Sequence, residues 1–470
     1  LEVVYRYVAP LLSEAVAEKV VQELEILPAI LTANHHGVDF LAQSLQGSFL
    51  FSLRLVGGKP ATTVPVFACG NVALNNSTYP KGLLLYDINH FSTYHKIPIR
   101  IPVFPDRWKR MSVCLVNSYD EKMLARSKKY LFSNLQQQII TPILANTANK
   151  ILEEDYLNNT VISLKKYSQQ AVILNNRIWK RCFQEPDKAP EMIYLELEKI
   201  TTLLLYLDLR NENSLIWQML FNPLIRSKII YHLDGTRACW DQAKLNNRFF
   251  LKPDNTLNNN GGCGTNFFWG IDDAGCRIPL ILICDNIHQE PVLCGRDDEG
   301  NILKFPLNPD SIINELKSGR LLPSLITCYS IIAFSRGISC CGGYFQAEYL
   351  SNIQDVIVNT LNEIIDFSDF ATQIAKVPSD IYLSGMQAIM RDIKNNMLLP
   401  TGPVEIIANG GLSNLQLKKL ASLTVFDTHM AGVMETLPDF FSPGYLPANW
   451  NLLLAKDFKQ LINDQNAIIL

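Results

Sequence analysis

The sequence has no block of like charge, no internal repeat and no apolar run long enough to cross a bilayer. Charged residues make up 19% of the 470 and nearly cancel, to a formal −3, so no basic stripe for nucleic acid and no polybasic face for an acidic membrane stands out. The longest apolar stretch, Leu321 to Phe334, contains Pro323 and falls short of the ~20 residues a membrane helix needs; it reads as a buried helix. The pattern of a disulfide scaffold is missing too. The 11 cysteines are odd in number and sit mostly inside apolar runs, such as Phe67-Ala68-Cys69, Ile283-Cys284 and Thr327-Cys328. They read as small hydrophobes in a reducing, cytoplasmic setting. No basic start, apolar stretch and small-residue cleavage site follow one another in the first residues, so no signal peptide is read there.

What is present is a large apolar fraction, 48%, enough for a sizeable core. At about 150 residues per domain the length suggests two to four units, or one core with large insertions. Four regions differ in texture. Residues 1–117 alternate strand and helix signals: a strand at Ala29 to Ala33, an amphipathic helix from Phe40 to Leu53, then strands at Thr63 to Ala68 and Gly82 to Tyr86. This predicts a Rossmann-like βαβ core with a parallel sheet. Residues 118–227 read as a helical insertion, with periodic stretches at Glu121 to Gln138, Glu153 to Cys182 and Glu191 to Leu207. Residues 228–307 read as an antiparallel β meander with hairpins around Asp272 to Gly275 and Arg296 to Gly300. Residues 308–470 return to helix, with Asn308-Pro309 opening one and Gly319 closing it. One strand, Val404 to Ala408, is expected there and is a candidate to rejoin the N-terminal sheet.

The strand-to-helix turn Asn34-His35-His36-Gly37-Val38-Asp39 is the leading candidate site. In open α/β sheets ligands bind beyond the carboxyl ends of strands, where helix N-termini offer unpaired N–H groups. His35 or His36 would act as general base or anion binder, and Asp39 would orient an imidazole; Asn34 and Gly37 would border the substrate. The simpler alternative is that Asp39 caps the helix and the histidines satisfy buried carbonyls.

The run His35-His36-Gly37-Val38-Asp39-Phe40 resembles the histidine motif of acyl-CoA and condensation-type acyltransferases. That resemblance implies His35 as general base and Asp39 as its structural partner; Phe40 stands where the motif has Gly. Thr32 to Gly37 followed by Val64-Pro65-Val66-Phe67 also resembles the first strand and histidine-bearing turn of class I synthetase-like nucleotidyl transferases and of bacillithiol-forming ligases.

Further polar clusters add substrate-binding candidates. Cys69-Gly70-Asn71 and the run from Asn75 and Asn76 to Pro80 follow the second strand and would share its crevice. Asp87, His90, Tyr94, His95 and Asp106-Arg107 lie downstream. In the glycine-rich segment Gly337 to Tyr349, Gln346, Glu348 and Tyr349 are candidates for a pocket wall, and Arg336 for an anion. Asn258 to Thr265 reads as a mobile loop without a phosphate-loop ending. Cys263, Cys276, Cys284, His288 and Cys294 lack the close pairing of structural zinc sites, and no metal is assigned. Asn409-Gly410-Gly411 precedes a helix, and Asp427-Thr428-His429 reads as a capping turn.

The expectation is an enzyme acting on a small polar or acyl-bearing metabolite by group transfer or ligation; no cofactor or oligomeric state is legible. Two alternatives stand beside it: a non-catalytic ligand-binding or interaction protein built on the long helices, and a metal-dependent hydrolase using His35, His36 and Asp39. Convergence of His35, Asn71 and Gln346 on one enclosed cavity separates the enzyme from the interaction protein.

Overall fold

A computed structural model describes residues 1–87, 89, 98–250, 262–284, 290–364, 367–393, 397–441, 444–447, 449–450, 453–454, 456–457, 462 and 467–470. Its centre is a five-stranded, wholly parallel sheet built from β1 (Ala29–Leu31), β2 (Thr63–Ala68), β3 (Glu191–Glu196), β4 (Ser339–Gly343) and β5 (Tyr382–Ser384). Across the sheet the order is β3-β2-β1-β4-β5. From β1 the chain therefore builds outward to one side through β2 and β3, then returns to the other side of β1 with β4.

The four strands β1 to β4 are buried on both faces, the edge strand β5 is part-buried, and successive side chains enter different cores. Ile30, Phe67, Ile193, Leu195 and Cys340 pack into one core with Val20 and Ile353. Leu31, Val66, Tyr194 and Cys341 pack into another with Phe49 of helix α1 (Ala42–Ser52) and Trp179 of helix α2 (Tyr167–Arg181). Helix α3 (Leu197–Asp208) follows β3 directly, and helix α4 (Tyr344–Asn362) follows β4. A third core joins Leu83 to Tyr86 with Phe104, Tyr119, Leu144 and Tyr156, and meets the sheet through Cys69 and helix α2.

The βαβ reading of the N-terminal region holds for β1, α1 and β2, with Leu31 registered on Val66. The meander holds as well, as Phe268–Ile271 with Arg277–Pro279 and as Ile281–Ile283, Val292–Arg296 and Ile302–Pro306, all antiparallel. Helix Pro309–Ser318 opens on the Asn308 side chain and closes on left-handed Gly319, as its sequence predicts.

Four expectations are corrected. Glu191 to Glu196 is a strand, not the start of a helix: a strand buried on both faces is a continuous apolar run, which periodicity alone does not separate from a helix. Val404 to Ala408 lies in a helix, Pro403–Ala408, because Pro403 presets the first turn and Glu405 accepts the Gly402 N–H at 3.0 Å. The C-terminal half reaches the sheet through β4 and β5 instead. Gly82–Leu85 pairs antiparallel with Ile99–Pro102 in a separate ribbon. Leu321–Pro323 is a strand beside Phe268–Ile271, and the helix begins only at Leu325. Among the described residues no helix is long and apolar enough to cross a membrane.

Candidate active site

A cavity of about 740 Å³ lies at the carboxyl end of the sheet, and every strand contributes to it. Thr32, Ala33 and His35 follow β1, Cys69 and Asn71 follow β2, Glu198 follows β3, Gly343 ends β4 and Ser384 ends β5. The chain's reversal between β1 and β4 leaves a crevice at that edge, where neighbouring connections depart to opposite sides. The wall facing the strand ends comes from loop residues 235–241 and from the meander, through Trp269 and Arg277.

His35 sits on the floor. Beyond β1 the backbone still pairs with the extension of β2, through Cys69 N–H to Asn34 O at 2.9 Å and His36 N–H to Cys69 O at 2.7 Å. His35 Nδ1 lies 2.9 Å from Asn76 Oδ1, which also accepts the Thr78 N–H at 3.0 Å. The Asn76 atom is thus an acceptor, and His35 Nδ1 carries the proton. In the neutral ring the lone pair is then on Nε2, which no group among the described residues bonds. Burial holds the His35 pKa below its ordinary value; the Asn76 bond opposes this and the Arg277 charge adds to it. The ring is a neutral base with a fixed tautomer.

Glu198 was not anticipated. It is buried, and its carboxylate accepts Gly70 N–H at 2.7 Å, Asn71 N–H at 3.0 Å and the Cys69 thiol at 3.2 Å. Burial raises its pKa and those bonds pull it back. Burial first, then Glu198, push the Cys69 thiol well above its ordinary value, so it rests as a thiol and not a thiolate. Asn71 Oδ1 accepts the Ser112 hydroxyl at 2.9 Å, while its Nδ2 is buried with no partner among the described residues. Gln346 donates to Thr32 Oγ1 at 2.6 Å, fastening the first turn of α4 to the end of β1. That close return needs Gly342, where a Cβ would fall 2.3 Å from the Gln346 side chain. Tyr349 lines the cavity with its hydroxyl 3.4 Å from that of Tyr329, and Tyr344 does so with its hydroxyl 2.9 Å from His429 Nδ1.

The other sequence candidates lie elsewhere. His36 is fully buried away from the cavity, with Nε2 3.1 Å from Ser168 O and 3.0 Å from Ser168 Oγ; burial lowers its pKa to about 4. Asp39 touches neither imidazole. It accepts from Ser44 Oγ at 2.6 Å, Asn34 Nδ2 at 3.0 Å and Leu41 N–H at 3.1 Å, and so organises the entry to α1. Burial raises its pKa. Gly37 adopts φ 117° under Pro80, and its carbonyl accepts Asn175 Nδ2 at 2.8 Å. Asn75 is exposed outside the cavity, and Asn76 serves by holding His35. Arg336 is not free for an anion: both its terminal nitrogens lie 2.9 Å from the Asp208 carboxylate. Glu348 is exposed and outside the cavity lining. Asp87 binds the Thr141 N–H and hydroxyl, and Asp106 pairs with Lys81 and Lys109. Asp427-Thr428-His429 is not the capping turn but lies within helix Val425–Phe440; the N-cap is Thr424, with Asp427 completing its capping box. His90, Tyr94, His95, Asn258 to Gly261 and His288 lie outside the described residues. Among the described residues no three His, Cys, Asp or Glu side chains gather as a metal-ligand set.

Sequence reasoning passed over Glu198, Arg237 and Arg277. The available signal for Glu198 was an acidic pair, Glu196 and Glu198, ending the apolar run Met192 to Leu195. Comparison with protein families, with characterised proteins and with solved structures finds no match to the chain.

Proposed function

We propose that the protein is an enzyme that transfers or ligates a group on a small polar metabolite held at the carboxyl end of the sheet, with His35 Nε2 as general base. The observation that carries this reading is convergence: His35 and Asn71, from the loops after β1 and β2, and Gln346, from the first turn of α4 after β4, line one partly enclosed cavity. An interaction protein has no need of such an arrangement. Glu198, beside Cys69, offers a second proton acceptor on the same floor. The strand order β3-β2-β1-β4-β5, with both faces covered, supports a Rossmann-like, doubly wound sheet as the scaffold. The 11 unbridged cysteines support a reducing, cytoplasmic setting. The nearly balanced charge gives no support to a nucleic-acid partner.

A metabolite screen by thermal shift tests this, because a ligand that binds only the folded state raises the melting temperature. It is run on the wild type and on Asn71→Leu, which removes the unpartnered amide. The reading expects hits that stabilise the wild type, lose most of that effect in the variant and are converted on incubation. Hits that bind both proteins equally and are never converted overturn it.

A further inference from the structure

Among the described residues, five charged side chains line the cavity: Glu198, Arg237, Asp241, Lys244 and Arg277. Lys244 and Asp241 neutralise each other, 3.0 Å apart. Glu198 is already engaged by two backbone N–H groups and the Cys69 thiol. The two arginines remain, and neither has an acidic partner among the described residues. Each is instead laid over an aromatic face: Arg237 Cζ is 3.7 Å from the Phe345 ring centre, and Arg277 Cζ is 4.6 Å from that of Trp269. Stacking occupies the flat face of a guanidinium and leaves its in-plane N–H edge available. Arg277 uses one such N–H on Asn71 O, at 2.6 Å, which ties its fork to the residue whose Nδ2 is buried with no partner among the described residues.

Both arginines are exposed to solvent at the cavity mouth. They come from separate parts of the chain, a loop between helices and the edge of the meander, and each lies over an aromatic ring with no carboxylate partner among the described residues. We infer that the substrate carries a small oxyanion, a phosphate ester or a carboxylate, bound by the forks of Arg277 and Arg237 with the Asn71 amide as a further donor. Planar N–H edges suit either group, since both present paired oxygens to a guanidinium. The cavity is larger than such an anion, and Trp240, Trp269 and Tyr349 would pack the less polar part of the same molecule. This inference rests on the reading of the cavity as a substrate site.

Isothermal titration of the full chain at low salt, with inorganic phosphate and separately with malonate, tests it. At least one anion should bind the wild type, weaken at least tenfold in both Arg277→Gln and Arg237→Gln, weaken with added salt and persist in His35→Gln. Binding of phosphate alone assigns a phosphate ester, and binding of malonate alone a carboxylate. Absence of binding by both anions, or binding unchanged in the two arginine variants, overturns the inference. Circular dichroism verifies each fold; if a glutamine variant does not fold, the corresponding lysine variant, which keeps the charge but loses the fork, is measured in its place and is still expected to bind more weakly than wild type. Anion binding lost on the arginines while turnover depends on His35→Gln would leave the catalytic reading standing. Arginine-dependent anion binding with turnover intact in His35→Gln would remove the catalytic reading and keep the anion site.

Discussion

His35 and His36 are adjacent in sequence and opposite in environment. The backbone there is still extended, so successive side chains leave on opposite sides. His35 reaches the cavity floor, and His36 goes to Ser168, whose hydroxyl in turn donates to Glu196. Nothing in the run Asn34 to Asp39 distinguishes the two rings; what does is the pairing with Cys69, a contact the sequence does not display. Asp39 fits neither reading: it orients no imidazole, and it accepts from Asn34, the Leu41 N–H and the Ser44 hydroxyl without capping α1, whose N-cap Leu41 has no side-chain cap bond. The Glu196 carboxyl is buried, and burial first, then Glu198, raise its pKa to about 8. The sign follows: the folded protein holds this proton over a pH range where the unfolded chain has released it, so stability falls as pH rises from about 4.5 towards 8. Glu196→Gln removes that slope. Urea unfolding at about pH 5 and at pH 8 should show the variant gaining on the order of 2 kcal/mol over wild type between the two. An identical pH dependence in the two proteins would mean that Glu196 does not bind the extra proton.

At the scale of elements, the turn between β1 and α1 depends on Gly37. Its φ of 117° disfavours any side chain, and a Cβ would lie 2.6 Å from Pro80 Cβ. Gly37→Ala should therefore destabilise the protein by about 1–3 kcal/mol, read as a lower urea midpoint with an unchanged slope. Elements with local signals were legible: the Asn308 cap, the Gly319 stop and the meander turns depend on residues within a few positions of one another, and the βαβ unit on the periodicity within each of its segments. The missed strand depends on a distant partner. Glu191 to Glu196 is a strand because Thr63 to Ala68 lies beside it, and its own composition serves a helix equally well. Val404 to Ala408 shows the same ambiguity, resolved by Pro403 and Glu405 in favour of a helix.

At the scale of the whole molecule, the sheet takes its strands from three of the four regions that differ in texture, and only the meander stays outside it. Yet the meander is what faces the strand ends, through Arg277 bonded to a carbonyl 206 residues earlier. The cavity is thus a product of long-range assembly, and the sequence made half of it legible: His35, Asn71, Gln346 and Tyr349, but not Glu198, Arg237 or Arg277. The central claim is that proton transfer at this cavity belongs to His35 Nε2. The most direct measurement is kcat/KM for a converted screening hit, taken on wild type, His35→Gln and His36→Ala. We predict a loss of about 10²–10⁴-fold in His35→Gln with binding retained, and near-wild-type turnover in whatever fraction of His36→Ala remains folded. Undiminished turnover in His35→Gln would contradict the claim.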